Sequence, residues 1–378
     1  MSISMSRRQL VRGMVGSAVG LAVAPAAFGQ WNARRVDPDA RLGPKPGVVR
    51  LSSNENPYGP GPRALEAAAD AVAMGAYYPF SVSNNLKHAI AEQHGLTLDN
   101  VLLSSGSNEA LQAALIAWGR KGKILVPELT YTAPLGYASG LGVEIARVPM
   151  KADMSIDLDA LAAAVDETVS LVYICSPNNP TGMVLDGDEL RKFCREVGGS
   201  AVVVIDEAYN ELTDDPDYSS MVDLVRAEEN VIVMRTFSKI FGMAGMRIGY
   251  GMARPDLAST VSRHVMSWAN GVGLAAAIAA YGDTDFIEFS RSKVREGRAM
   301  VIETFRRNGI EPLPSEANFI YADIGRDASE FAASLRAEKV QIRGIFQPYP
   351  TFSRVSMGRL EDLEKFDEVF TRVYRSQG

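Results

Sequence analysis

Ala201-Val-Val-Val-Ile-Asp-Glu-Ala-Tyr209 is the stretch on which the fold turns. Val202 to Ile205 are β-branched without polar alternation, so the strand they form is buried on both faces. Such strands belong to sheets covered by helices on each side. The run ends on two carboxylates, Asp206 and Glu207. An acid buried at a strand end is costly unless a cation meets it. A protonated ring nitrogen, a metal ion or a helix N-cap role would each suit Asp206.

Three neighbouring segments share this design. Leu171-Val-Tyr-Ile-Cys-Ser-Pro-Asn-Asn179-Pro-Thr-Gly182 is an apolar run that breaks into Pro/Asn/Gly turn chemistry. That turn is either a plain connection or part of a ligand site at the strand's C-terminal end, where open α/β sheets bind ligands. Val101-Leu-Leu-Ser-Ser-Gly106-Ser107-Asn108-Glu109 breaks at small residues before a helical pattern. It is an ordinary capped helix or a helix start whose free N–H groups hold a phosphate. Arg235-Thr-Phe-Ser-Lys239 leads through Gly-Met-Ala-Gly-Met to Arg247. A lysine among hydroxyls and small apolar residues is either solvated or a desolvated nucleophile, and imine formation with pyridoxal phosphate is the common use of the second kind.

Taken in order, these motifs closely resemble the fold-type I pyridoxal-phosphate enzymes of the class I/II aminotransferase family, in particular its histidinol-phosphate aminotransferase branch. Leu51-Ser-Ser-Asn-Glu-Asn-Pro-Tyr58-Gly-Pro is also typical of that branch. The resemblance runs from about residue 45 to the C-terminus. It implies that Lys239 forms a Schiff base with pyridoxal phosphate and shuttles the substrate's α-proton. Asp206 would partner the pyridine nitrogen, Asn179 and Tyr209 the phenolic oxygen, and Tyr131 would stack on the ring. Ser107, Asn108, Thr236, Ser238 and Arg247 would hold the phosphate. Tyr58 would reach the neighbouring subunit's phosphate site, making the enzyme an obligate homodimer. Arg354 would clamp the substrate carboxylate, with Asn318 at the edge of the site. Arg343 and Arg359 are secondary anion contacts that read more naturally as surface charges.

The implied reaction moves an amino group from an amino acid, or a histidinol-phosphate-like amine, to a 2-oxo acid such as 2-oxoglutarate. The same motifs serve decarboxylases, oxidases and lyases on this fold. A binding protein on a dead copy of it would have lost Lys239. Gly344-Ile-Phe-Gln-Pro-Tyr-Pro-Thr-Phe352 and Arg359-Leu-Glu-Asp362 depart from the branch, which puts the substrate side chain in doubt.

Length and composition fit one enzyme of two lobes: 378 residues with a net charge of −6. There is no basic excess to suggest nucleic acid. Cys175 and Cys194 have no metal-ligand spacing and read as buried, inert thiols. Residues 1–30, with Arg7-Arg8 ahead of a Gly/Ala-rich apolar run, resemble a twin-arginine signal peptide. That implies a periplasmic enzyme, the alternative being a cytoplasmic one, and no membrane attachment after cleavage. Residues 31–62 read as an extended arm. Residues 63–267 read as the large cofactor-binding domain, an α/β unit with a mostly parallel, seven-stranded-type sheet. Residues 268–378 read as a smaller α+β domain. Strands are expected at 101–103, 123–126, 171–175, 201–205, 231–235, 247–251, 319–322, 341–343 and 353–356.

Overall fold

The structure is a computed structural model that describes residues 42–377. The expected signal peptide and the start of the arm lie outside the described residues. The fold below is that of the unit beginning at Pro44.

Seven strands form the main sheet: β2 (Val101–Ser104), β3 (Lys123–Pro127), β4 (Ile145–Val148), β5 (Val169–Cys175), β6 (Val202–Asp206), β7 (Val231–Thr236) and β8 (Gly249–Ala253). Their spatial order is β2-β8-β7-β6-β5-β3-β4. Only β8 runs against its neighbours, β2 and β7; all other pairings are parallel. The C-terminal ends of β2, β3, β5, β6 and β7 therefore share one edge, and the N-terminal end of β8 joins them there.

Burial explains why β6 has no polar alternation. Val203 and Ile205 face one core with Val231 and Val233, under Leu190 and Phe193 of the helix Gly187–Gly198. Val202 and Val204 face the opposite core with Ile232 and Met234, under Leu111 and Trp118 of the helix Ser107–Gly119. Each such side chain contributes roughly 1.5–3 kcal/mol on burial, so a polar residue on either face would be disruptive.

The expected strand 247–251 starts later, at Gly249. Arg247 is left-handed (φ 58°) and donates to the Ala244 carbonyl, so the chain is still turning there. Two strands escaped the sequence pattern. β4 is an edge strand only partly covered, with a charged Arg147 in its short run. β1 (Val49–Leu51) lies within the segment read as an arm and pairs in parallel with β10 (Val340–Ile342). β9 (Phe319–Asp323) and β11 (Phe352–Ser356) form a further antiparallel pair that sets Arg354 opposite Tyr321. The helix Gly271–Tyr281 packs on the helices Pro62–Val72 and Phe80–His94, whereas Thr284–Arg307 packs on Leu360–Ser376. No helix among the described residues is long and apolar enough to cross a membrane.

Candidate active site

A cavity of about 430 Å³ opens at the shared strand edge. β6 ends on Asp206 and β7 on Thr236, while the segments after β2, β3, β5, β6 and β7 deliver Ser107 and Asn108, Tyr131, Asn179, Tyr209, and Ser238 with Lys239. Arg247 enters from the turn before β8, and Arg354 from β11.

The Lys239 amine donates to the Asn54 carbonyl (3.1 Å) and lies 5.3 Å from the centre of the Tyr209 ring. Burial, helped by the Arg354 charge, lowers its pKa to about 8 against the pull of Asp206. A fraction of the amine is therefore a free nucleophile near neutrality, as covalent amine chemistry requires. Asp206 is 3% exposed and burial raises its pKa to about 6. Its oxygens accept from the Ala208 amide (3.2 Å) and the Tyr173 hydroxyl (3.3 Å). It has no ion-pair partner among the described residues, so this buried carboxylate is suited to a cationic ligand atom.

Opposite it, the Tyr209 hydroxyl accepts from the Asn54 side-chain amide (3.0 Å) and the Asn179 amide (3.4 Å). Burial pushes its pKa well up, so it stays a neutral donor. Tyr131 reaches Asn108 Oδ1 (3.3 Å) at the cavity wall. The anion end gathers Arg247, whose guanidinium approaches the Ser238 hydroxyl (3.4 Å), and Thr236, which bonds Ser238 (2.9 Å). Ser107 opens its helix there, presenting unused amides. Gly106, at φ 81°, makes this approach possible: a Cβ would collide with the Arg247 guanidinium.

Arg354 donates to Asn179 Oδ1 (2.6 Å) and to the Ser52 carbonyl (3.0 Å), and its Nε has no partner. Burial lowers its pKa to about 10, which still leaves it charged at neutral pH. An almost buried guanidinium with a spare donor is suited to pairing with a carboxylate.

Three residues named from the sequence lie elsewhere. Tyr58 accepts from the Leu360 amide (3.0 Å), packs edge-on against Phe289, and does not line the cavity. Asn318 donates to the Glu55 carbonyl (3.3 Å), one layer behind the wall. Arg359 donates to the Pro57 carbonyl. Arg343, read as a surface charge, is exposed yet lines the cavity. Asn54 was missed. It is left-handed (φ 54°) and 2% exposed; its amide N–H donates to Ser356 Oγ (2.9 Å), while its Oδ1 accepts from that hydroxyl (2.6 Å). Its position inside Leu51–Pro60 was the available signal, since asparagine tolerates left-handed backbone better than other non-glycine residues.

A mostly parallel sheet presenting a low-pKa lysine, a buried acid and a two-ended anion grip defines an enzyme built for covalent amine chemistry. Residues 46–370 match the family model for aminotransferase class I and II. The chain belongs to that family. It is 38% identical to the histidinol-phosphate aminotransferase of Symbiobacterium thermophilum, over 85% of this chain and 89% of that one. It is 37% identical to histidinol-phosphate aminotransferase 1 of Cupriavidus pinatubonensis, over 87% and 89%. The crystal structure of the Sinorhizobium meliloti histidinol-phosphate aminotransferase in complex with pyridoxal-5'-phosphate superposes with a TM-score of 0.80 at 27% identity, covering 94% of this chain and all of that one (100%).

Proposed function

We propose that the protein is a pyridoxal-phosphate-dependent aminotransferase that moves the amino group of an amino acid, or of a histidinol-phosphate-like amine, to a 2-oxo acid such as 2-oxoglutarate. The observation that carries this reading is the low-pKa Lys239 amine in one cavity with Asp206 and Arg354. The residues fit the cofactor: Asp206 is a buried acid lacking a cation, and Gly106 leaves room beside Arg247. Pyridoxal phosphate supplies an aldehyde for the amine and an electron sink for the substrate's α-carbon.

The chain's own groups do the rest. Arg247, Ser238, Thr236, Ser107 and Asn108 hold the phosphate, with the arginine dominating because its bonds are charge-assisted. Asp206 keeps the ring nitrogen protonated. Asn179 and Tyr209 donate to the phenolic oxygen, and Tyr131 covers the ring face. Arg354 fixes the substrate carboxylate in two parallel bonds. Lys239 would take the substrate's α-proton on its amine and carry it within the cavity. Arg343 at the mouth supplies a second cation for an anionic substrate group, and Asn318 supports the edge of the site through the Glu55 carbonyl.

A donor screen tests the reaction: amino acids and histidinol phosphate are mixed with the holoenzyme, and the cofactor band is followed into its amine form. Carbon dioxide, ammonia or peroxide released without amination of any 2-oxo acid would refute transamination.

We propose further that the working form is a homodimer in which the partner subunit's Tyr58 completes the phosphate cradle. The exposed rings of Tyr78, Phe80 and Trp268 support this, since they pack on one another (5.1–5.9 Å between ring centres) and a contiguous exposed aromatic patch marks an interaction surface. Sedimentation that finds only monomer would overturn it. The Arg7-Arg8 segment supports export of the folded enzyme to the periplasm. Retention of an Arg7→Lys/Arg8→Lys variant in the cytoplasm, against export of the native chain, is the expected result; equal distribution would leave a cytoplasmic enzyme.

A further inference from the structure

We infer that Phe346, held in place by a Tyr349–Glu128 latch, is the residue that selects the substrate's side chain, favouring a donor with a large flat one over a small one. The inference rests on the aminotransferase reading above and deepens it. The segment Gly344–Phe352, where the sequence departs from its branch, folds back on itself through an antiparallel bridge between Phe346 and Tyr349. It leaves β10 after Ile342 and returns as β11, so it forms a strap beside the strand that carries Arg354.

The strap is anchored at both faces. Phe346 meets Tyr321 edge-on (5.5 Å between ring centres), Tyr321 lies on Phe352 (5.0 Å), and Tyr349 meets Phe352 edge-on (5.9 Å). The Tyr349 hydroxyl then crosses to the main sheet and donates to Glu128 Oε2 (2.9 Å), just after β3. Glu128 is itself fixed, its amide donating to the Val148 carbonyl (2.7 Å) and its carbonyl accepting from Arg147 (3.0 Å). The strap therefore spans from the small β9–β11 sheet to the main sheet.

This placement puts the Phe346 ring in the cavity wall, 5.3 Å from the Arg354 guanidinium carbon. Apart from tyrosines, it is the one large apolar side chain among the residues lining the cavity. Arg354 fixes the carboxylate and Lys239 works at the α-carbon, so the third substituent of that carbon must lie along the remaining wall. The wall there is an aromatic face, with the Arg343 guanidinium 5.7 Å from it. A planar side chain stacks on such a face; a methyl group leaves it bare.

The test measures kcat/KM for phenylalanine and alanine, with 2-oxoglutarate as acceptor, on the holoenzyme and four variants. In parallel, dissociation constants for α-methylphenylalanine and 2-aminoisobutyrate, which lack the α-proton, are read from the cofactor absorbance. Phe346→Ala should lower the phenylalanine-to-alanine ratio by about tenfold or more, the scale of discrimination an apolar pocket can supply. Phe346→Tyr should retain it. Tyr349→Phe and Glu128→Ala should each lower the ratio in the same direction, which a merely structural role would not do, since that would depress both donors equally. An unchanged ratio in Phe346→Ala overturns the inference. A ratio lowered there but untouched by both latch variants overturns the latch. Should neither these donors nor histidinol phosphate turn over while the two α-methyl ligands still bind with a ratio set by Phe346, the transamination reading fails and the wall assignment stands; loss of both effects sinks both.

Discussion

Lys239 should destabilise the apoprotein, and Lys239→Met should relieve it. The amine's pKa falls from 10.5 to about 8 in the fold. Below pH 8 both the folded and the unfolded chain carry the proton, so the full cost of burying the charge is present. A shift of this size corresponds to about 3 kcal/mol at 1.36 kcal/mol per pH unit. The cavity is open to solvent and the side chain is not fully buried, so that figure is an upper bound. Methionine also forfeits the bond to the Asn54 carbonyl, worth about 1 kcal/mol. The net gain is about 2 kcal/mol at pH 7, or roughly 3 °C in Tm for a chain this long. A base with a depressed folded pKa binds fewer protons folded than unfolded between pH 8 and 10.5. Native stability therefore climbs across that window, and above it the native chain should become the more stable by about 1 kcal/mol, the bond that methionine lacks. Differential scanning fluorimetry of both apoproteins at pH 7 and pH 10.5 reads this directly. A variant no more stable than the native chain at pH 7, or one still the more stable at pH 10.5, would refute the desolvation argument.

Recombination of the apoprotein with pyridoxal phosphate should quicken as pH rises through about 8 and then level off, because only the neutral Lys239 amine attacks; stopped-flow absorbance measures it. Arg354→Ala should raise KM for the 2-oxo acid by roughly 10²-fold with a smaller change in kcat, as expected for a lost charge-assisted pair, and unchanged steady-state kinetics would dismiss the clamp. Gly106→Ala should weaken cofactor binding by roughly 10²-fold, since the added methyl displaces Arg247 and sits at positive φ; an absorbance titration of the apoprotein decides. Asn54→Ala should cost about 2–4 kcal/mol of stability, read by urea denaturation, through unsatisfied buried partners at Tyr209 and Ser356 and a left-handed alanine.

Local pattern explains why most of the cavity lining is legible in the sequence. Asp206, Asn179, Tyr131 and Lys239 each follow an apolar run, and a buried parallel strand places whatever follows it on one edge. Residue type then supplies the chemistry. Asn54 is not legible in this way, because its meaning is made elsewhere: its hydrogen-bond partner Ser356 is 302 residues away. Nothing in a Pro- and Gly-rich run says that a strand from its own start, β1, pairs with β10 and so brings that run beneath Arg354 and beside Tyr209. Arg343 illustrates the converse error. An exposed arginine looks like surface charge by composition, but a rim position makes exposure compatible with lining a site.

The same contrast locates where specificity can change without touching catalysis. The groups proposed to handle the proton and the cofactor sit at or just after the ends of strands buried on both faces, and their spacing is set by parallel pairing such as Cys175 opposite Asp206 and Asp206 opposite Met234. Moving any one of them means disturbing a core that tolerates little change in volume. Arg354 and Phe346 instead come from the small β9–β11 sheet and its strap, which meets the segment after β3 through the Tyr349–Glu128 hydrogen bond and a small apolar cluster at Leu129. Substitutions in the strap can therefore reshape the wall facing the substrate side chain while Lys239 and Asp206 keep their geometry. That is the physical reason a chain of this family can keep the residues at its strand ends and still vary between Gly344 and Phe352.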